Sequence, residues 1–129
     1  MMNKNATVWI DHKEARIFFI HPDKVLESTI HAPEPDFHKH PKDAEGTRER
    51  PTDANRFFHD VARSLAGTDG VLIVGPSTAK LEFFRYVHKH DPALEPRIVA
   101  LETVDHPTDG QIIAYAKKYF KLGERIRSR

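Results

Sequence analysis

The sequence has no cysteine among its 129 residues. This absence excludes disulfide bonds, thiol nucleophiles and cysteine metal ligands, and it agrees with a reducing compartment. Long apolar runs are missing too, since no stretch approaches the roughly 18 apolar residues of a membrane helix. The N-terminal segment MMNKNATVWIDHKEAR also lacks the apolar run and cleavage site of a signal peptide. We therefore expect a soluble protein of the cytoplasm that has no membrane partner.

A strong excess of charge of one sign is also absent. Lysine and arginine total 20 and aspartate and glutamate total 19, so that the formal net charge is +1 at pH 7. A chain this balanced has no global field that attracts nucleic acid or membrane surfaces. Positive charge is instead local, because residues 121–129 form a basic tail that contains one glutamate. This tail is interpreted either as a solvated terminus or as a segment that contacts phosphate.

The chain does contain the short β-rich segments of a small sheet. ATVWI and RIFFI flank the polar turn DHKEA, and VLESTI alternates apolar with polar residues, which together predict three antiparallel strands. GVLIVG and RIVALE are nearly continuous apolar runs, which are typical of strands buried on both faces. Five strands are therefore predicted within a single domain, residues 1–129.

Apolar residues at spacings of three and four predict three helices between and after these strands. The first is expected to end near Gly67 and the last to begin near Thr108. The middle helix is expected to turn Leu81, Phe84 and Val87 to one side. The order β-β-β-α-β-α-β-α predicts an α/β fold with a mixed five-stranded sheet and helices on its faces.

One long segment, residues 31–51, fits neither pattern. Its sequence, HAPEPDFHKHPKDAEGTRERP, has a single large apolar residue, Phe37, among three histidines, four prolines and many charges. Such a segment buries too little apolar surface to offset the entropy lost when it is ordered. It is therefore predicted to be an exposed loop, called the polar loop below.

Two patterns indicate possible binding chemistry. VGPSTAK joins a buried strand to a helix, where free backbone N–H groups bind anions, so Ser77, Thr78 and Lys80 form a candidate anion site or, alternatively, an ordinary helix cap. His38 and His40 lie two residues apart and could share a metal ion, although zinc needs three or four ligands. The sequence places no further ligand near them, so no metal or cofactor is assigned.

With its elements in this order, the chain resembles the middle domain of the archaeal and eukaryotic class-one release factors and of the Pelota-type ribosome rescue proteins. It is still more similar to the short, single-domain bacterial relatives grouped as translational-machinery proteins. The resemblance covers residues 6–122 and is carried by ATVWIDHKEARIFFI, HKHPKDAEGTRERPTDANRFFHDVARSL and VLIVGPSTAKLEFFRYV. It implies the ribonuclease-H-like architecture of translational-machinery components.

In the release factors, the loop that corresponds to the polar loop carries Gly-Gly-Gln, which promotes hydrolysis of peptidyl-tRNA. This chain has only Gly46 there, and its one glutamine, Gln111, lies in the last helix. The resemblance therefore implies a non-enzymatic protein that associates with the ribosome or with structured RNA. The residues expected to contact RNA are His38, Lys39, His40, Lys42, Arg48, Arg50, Arg56 and Arg63.

Arginine matches the geometry of phosphate, and histidine would strengthen RNA binding as the pH falls through about 6.5. The acidic residues of the loop oppose this attraction, so a solvated surface loop is the alternative interpretation. Two other functions stay open. One is a metal-dependent hydrolase or nuclease that uses Asp11, which otherwise forms a turn, and the loop histidines. The other is a small homo-oligomeric, stress-related interaction module that pairs through an exposed sheet edge.

Overall fold

The computed structural model describes residues 4–33 and 51–127, with side chains described for residues 4–33 and 54–121. Over these ranges the order of elements is the predicted one, with a short 3-10 helix, Glu95–Arg97, before the last strand. The strands are β1 (Asn5–Ile10), β2 (Glu14–Ile20), β3 (Val25–His31), β4 (Gly70–Gly75) and β5 (Ile98–Thr103). The α-helices are α1 (Pro51–Ser64), α2 (Ala79–His90) and α3 (Asp109–Arg127).

The strands form a mixed sheet in the order β3-β2-β1-β4-β5, with β1 at its centre. β2 pairs antiparallel with β1 and with β3, because short turns connect these strands. β4 pairs in parallel with β1 and with β5, as crossover helices require. The predicted α/β class and mixed five-stranded sheet are confirmed. The carboxyl ends of β1, β4 and β5 lie along one edge, called the carboxyl edge below, where open α/β sheets bind ligands.

Helices cover both faces of the sheet. Alternate residues of β1 point to opposite faces, so that Val8 and Ile10 contact the side covered by α1 and α2, whereas Trp9 contacts the side covered by α3. Phe58 of α1 and Phe83 of α2 are buried on the first side. Two hydrophobic cores, one on each face, therefore hold the helices against the sheet.

Two glycines occupy turns that require them. Gly67, near which the sequence predicted the end of α1, has a φ of +85°, the left-handed conformation that favours glycine after a helix. At Gly75, an added Cβ atom would lie 2.3 Å from the carbonyl oxygen of Ile10. β4 therefore ends too close to β1 for any side chain at this position.

Two predictions about burial are wrong. Of the three residues expected on one side of α2, Val87 is buried and Phe84 half-buried, but Leu81 is 45% exposed and Phe83 is buried instead. β5 was predicted to be buried on both faces, but its residues are half-buried or exposed. The reason is that β5 has one neighbour among the described strands, and an apolar run in a sequence does not report the number of neighbouring strands.

α3 begins as the sequence predicted. The Thr108 hydroxyl accepts a hydrogen bond from the Gln111 backbone N–H, and the Gln111 side chain accepts one from the Thr108 N–H, which is a capping box. The helix continues to Arg127, so most of the basic tail 121–129 is helical. Among the described residues, no helix has the length and apolar composition needed to cross a bilayer.

Candidate functional site

The two ends of the polar loop meet the domain at the carboxyl edge of the sheet. After β3, the Ala32 N–H donates a 2.8 Å hydrogen bond to the carbonyl oxygen of Lys13, in the turn that follows β1. Pro33, at the start of the loop, and Ala54, just after its end, line one cavity of about 160 Å³ together with His12. The loop therefore leaves and rejoins the described fold beside the end of β1.

Two of the predicted RNA contacts, Arg56 and Arg63, lie on α1 with exposed side chains. His59 lies between them at spacings of three and four residues, so all three occupy one solvent-facing side of the helix. Within the described parts of the chain, no carboxylate forms an ion pair with either arginine. Both side chains are exposed, and a guanidinium group matches phosphate oxygens in geometry.

An aromatic cluster next to His59 joins α1 to α2. The Tyr86 hydroxyl oxygen lies 3.5 Å from Nδ1 of His59, and the Tyr86 and His90 ring centres are 4.6 Å apart. The Tyr86 ring also lies 5.9 Å from that of the buried Phe58. Tyr86 is half-buried against the core, whereas His59 and His90 are exposed, and aromatic rings on a protein surface are the groups on which RNA bases stack. We call Arg56, His59, Arg63, Tyr86 and His90 the helical face.

The helical face belongs to a surface with excess positive charge. Residues 54–64 and 79–90 contain five lysines and arginines against two acidic residues, Asp60 and Glu82. This local excess is larger than the net charge of the whole chain, which is +1. α3, on the other face of the sheet, has the same excess, with five lysines and arginines against Asp109 and Glu124, so helices on both faces carry a local positive charge.

The turn that contains Ser77, Thr78 and Lys80 is occupied by internal contacts. The Lys80 side chain is buried, and its ammonium group donates a 2.6 Å hydrogen bond to the Ser77 carbonyl oxygen. The Thr78 hydroxyl donates to Oε2 of Glu82 at 3.0 Å, and the Ser77 hydroxyl accepts from the Ala79 N–H at 3.4 Å. An anion would have to replace these contacts next to a carboxylate, and the anion site stays a prediction.

Glu82 makes this corner of the surface acidic. Its carboxylate lies 3.1 Å from Nε2 of His12 and accepts the hydrogen bond from Thr78. Partial burial alone would raise the pKa of Glu82, but the contacts with His12 and Thr78 outweigh it and lower this pKa below its ordinary value. Glu82 is therefore ionised at neutral pH and holds His12 at the cavity between the ends of the polar loop.

Asp11 forms the turn after β1. Its Oδ1 accepts hydrogen bonds from the backbone N–H groups of Lys13 at 2.8 Å and Glu14 at 2.9 Å, the pattern of an aspartate turn. Within residues 4–33 and 54–121, no three His, Asp or Glu side chains are grouped so that they could hold a metal ion. The candidate metal pair, His38 and His40, lies outside the described residues.

A larger cavity of about 350 Å³ opens at the carboxyl edge on the α3 side of the sheet. Thr7 of β1, Val74 of β4, His106 and Tyr115 are among its lining residues. The Tyr115 hydroxyl donates a hydrogen bond to Glu102, and this bond together with partial burial raises the pKa of Tyr115 to about 12. The cavity has the size of a small-molecule pocket. The sequence did not indicate it, because its residues come from separate segments of the chain.

The remaining predicted RNA contacts lie in the polar loop, outside the described residues: His38, Lys39, His40, Lys42, Arg48 and Arg50. The sequence indicated Arg56 and Arg63 but not the histidine and tyrosine members of the helical face. The spacing of four between Tyr86 and His90 was visible in the sequence. Their proximity to His59 was not, because it depends on how α1 packs beside α2.

Comparisons with known structures agree on the fold. The structure resembles Archaeoglobus fulgidus Pelota with a TM-score of 0.62 and 15% identity, over 96% of this chain and 34% of that one. It resembles the archaeal translation termination factor aRF1 with a TM-score of 0.57 and 16% identity, over 98% of this chain and 42% of that one. It resembles S. cerevisiae Dom34 with a TM-score of 0.50 and 9% identity, over 78% of this chain and 29% of that one. No family model and no curated protein matches the sequence.

These likenesses establish the fold, because sequence identities this low carry no information on shared activity. The chain spans less than half the length of each of the three proteins. Dom34 is a translation termination-like factor that is involved in RNA quality control pathways and interacts with Hbs1. The predicted resemblance is confirmed at the level of structure: the chain has the fold of one part of Pelota, Dom34 and aRF1.

Proposed function

We propose that this chain is a non-enzymatic protein of translation that associates with the ribosome or with structured RNA through the polar loop and the helical face. The observation that carries the proposal is the fold, which the chain shares over most of its length with parts of termination and termination-like factors. A fold alone does not define a function. The surface chemistry of α1 and α2 provides the second support.

The helical face has the chemistry that single-stranded RNA requires. Arg56 and Arg63 are separated by about 10 Å along the helix axis, given the rise per residue, and each can bind a phosphate with paired N–H donors. Tyr86, whose hydroxyl lies 3.5 Å from His59 on the same side of α1, and the adjacent His90 supply rings for base stacking. Because the polar loop runs directly into α1, RNA that contacts the loop can continue onto this face.

Hydrolysis of peptidyl-tRNA is not part of the proposal. The resemblance places that activity in a Gly-Gly-Gln sequence within the loop, and this chain has no glutamine there. Its glutamine, Gln111, caps α3 on the other side of the sheet. Binding without covalent chemistry is therefore the function that these residues support.

Co-sedimentation of the purified chain with ribosomes tests the proposal. We expect the wild-type chain to pellet with ribosomes at low salt, and the triple variant Lys42→Glu, Arg48→Glu, Arg50→Glu to remain in the supernatant. The double variant Arg56→Glu, Arg63→Glu tests the helical face separately. Its affinity should fall by about tenfold or more, because two phosphate contacts are lost and repulsion replaces them.

A matched control is available on α3, whose exposed Lys117 and Lys118 lie on the opposite side of the sheet. The double variant Lys117→Glu, Lys118→Glu changes the net charge by the same amount and should bind as the wild type does. Equal losses in the two double variants would indicate unspecific attraction instead of a site. A wild-type chain that binds neither ribosomes nor RNA at low salt would overturn the proposal.

A further inference from the structure

The outer side of β3 is an open sheet edge. β3 pairs with β2 over its whole length in a regular register, and among the described strands none pairs with its other side. Most of its residues are exposed, including 49% of Leu26. Protected edge strands carry proline, charged side chains such as lysine, or a bulge, whereas VLESTIH has no proline or lysine and a single acidic residue, Glu27. Such an edge is a template for a further strand.

The hydrogen bonds with β2 determine which backbone groups of β3 point outward. The His21 N–H donates to the Lys24 carbonyl oxygen at 2.9 Å, and the Ala32 N–H donates to the Lys13 carbonyl oxygen at 2.8 Å. Because hydrogen-bonded positions alternate along an antiparallel strand, the even-numbered residues of β3 pair with β2. The residues that direct N–H and C=O groups outward are Val25, Glu27, Thr29 and His31.

This edge is complementary to itself about Ser28. When two copies of β3 pair antiparallel with their Ser28 residues opposite each other, Glu27 faces Thr29 and Val25 faces His31. All outward-facing residues are then in hydrogen-bonded pairs, and no like charges are opposed. Centring the pair on Glu27 would instead place two carboxylates opposite each other, which is unfavourable.

The same register covers the exposed apolar side chain of the edge. Leu26 of one copy and Ile30 of the other become a non-hydrogen-bonded pair, in which Cα atoms approach to about 4.5 Å. Ile30 already packs against the core beneath α1 and α2. Leu26 of the second copy would extend that core across the dimer interface, and the burial of its side chain from solvent would stabilise the dimer.

We propose that β3 is a homodimerisation edge. Two copies of the chain pair antiparallel through Val25–His31, with the two-fold axis at Ser28, and their sheets become continuous. The proposal does not depend on RNA binding. It gives the homo-oligomeric interpretation of the sequence a defined surface and a defined register.

Single cysteine substitutions report this register, because the chain has no cysteine of its own. Ser28→Cys places two thiols across the axis, where a Cα separation of about 4.5 Å suits a disulfide. In Glu27→Cys, the matched control, the two thiols lie diagonally at about 7 to 8 Å between Cα atoms, beyond the usual range. We expect about tenfold more disulfide-linked dimer from Ser28→Cys under mild oxidation, given this difference in reach.

Light scattering supplies the second measurement. The wild-type chain should have twice its monomer mass of 14.8 kDa, and Thr29→Pro should return it to the monomer. Proline at this position removes an outward N–H and leaves the hydrogen bonds to β2 intact, so circular dichroism should stay unchanged. A monomeric wild-type chain would overturn the proposal. This holds even if slow hydrogen exchange of the β3 amides showed that another segment of the same chain covers the edge. A dimer in which Glu27→Cys cross-links as readily as Ser28→Cys would also overturn it.

Discussion

Gly75 ends β4 at the point where this strand lies closest to β1. A methyl group there would lie 2.3 Å from the Ile10 carbonyl oxygen, and a backbone atom cannot move aside as a flexible side chain can. We expect Gly75→Ala to lower the free energy of unfolding by about 2 to 4 kcal/mol, as measured by urea denaturation. The substitution would also distort the carboxyl edge, because the turn between β4 and α2 begins at this residue.

Gly110 provides the control for this prediction. A Cβ atom there would meet only the Thr108 hydroxyl, at 4.0 Å, in the first turn of α3. Gly110→Ala should therefore be neutral or stabilise the protein by about 0.4 to 1 kcal/mol through the unfolded chain. If Gly75→Ala were as stable as Gly110→Ala, this result would contradict the close approach of β4 to β1 at Gly75.

Tyr115 has the largest change in pKa among the described tyrosines and carboxylates, and its cause is the hydrogen bond to Glu102. The neutral phenol is the hydrogen-bonded form. The bond therefore stabilises the folded state below the ordinary pKa of 10.0, and its contribution is lost as the pH rises through about 12. We expect Glu102→Gln to return the pKa of Tyr115 toward 10.0.

Tyrosinate absorbance during an alkaline titration measures this change. The chain has three tyrosines, so the difference between each protein and its Tyr115→Phe counterpart isolates the Tyr115 signal. An unchanged Tyr115 titration in Glu102→Gln would show that the carboxylate does not cause the raised pKa.

α2 contains an internal test of how the helices are held against the sheet. Phe83 is fully buried and contacts the Phe58 ring at 5.7 Å, whereas Leu81, two residues earlier, is 45% exposed. Phe83→Ala should cost about 3 to 5 kcal/mol of unfolding free energy, because it leaves a cavity in the core. Leu81→Ala should cost about 0.5 kcal/mol or less, as exposed positions do. Comparable losses in urea denaturation would contradict the observed orientation of α2.

The elements could be predicted from the sequence because each has a local cause. The Asp11 turn, the helix end near Gly67 and the buried strand β4 are each determined by a few adjacent residues. The orientation of α2 has no such local cause, since Leu81, Phe84 and Val87 fit a helical period as well as Phe83 and Val87 do. Which of these sets is buried depends on how α2 packs against the sheet and α1, and no local spacing reports that packing.

The candidate site was predictable to a similar degree. Arg56 and Arg63 follow from one helix and its polar side, and the structure places both on an exposed surface. The contact of Tyr86 with His59 joins two helices that are separated by β4 in the chain. Packing in three dimensions creates this proximity, so no spacing in the sequence reports it.

The balanced charge of the protein makes its electrostatics local. With a net charge of +1, unspecific attraction to RNA is weak, and binding must depend on where the basic residues lie. α1 and α2 carry one group of them next to the ends of the polar loop, and α3 carries another on the opposite face. The two proposals therefore use two different surfaces: the side of α1 and α2 for RNA and the β3 edge for a second copy.

One measurement decides whether the RNA surface exists: co-sedimentation of the wild-type chain with ribosomes over a range of salt concentrations. We predict binding at low salt whose affinity falls steadily as salt rises. The Arg56→Glu, Arg63→Glu variant should bind more weakly, with a logarithmic salt slope smaller by about 1.5 because two phosphate contacts are lost. A wild-type chain that stays in the supernatant at the lowest salt concentration would contradict the proposed function.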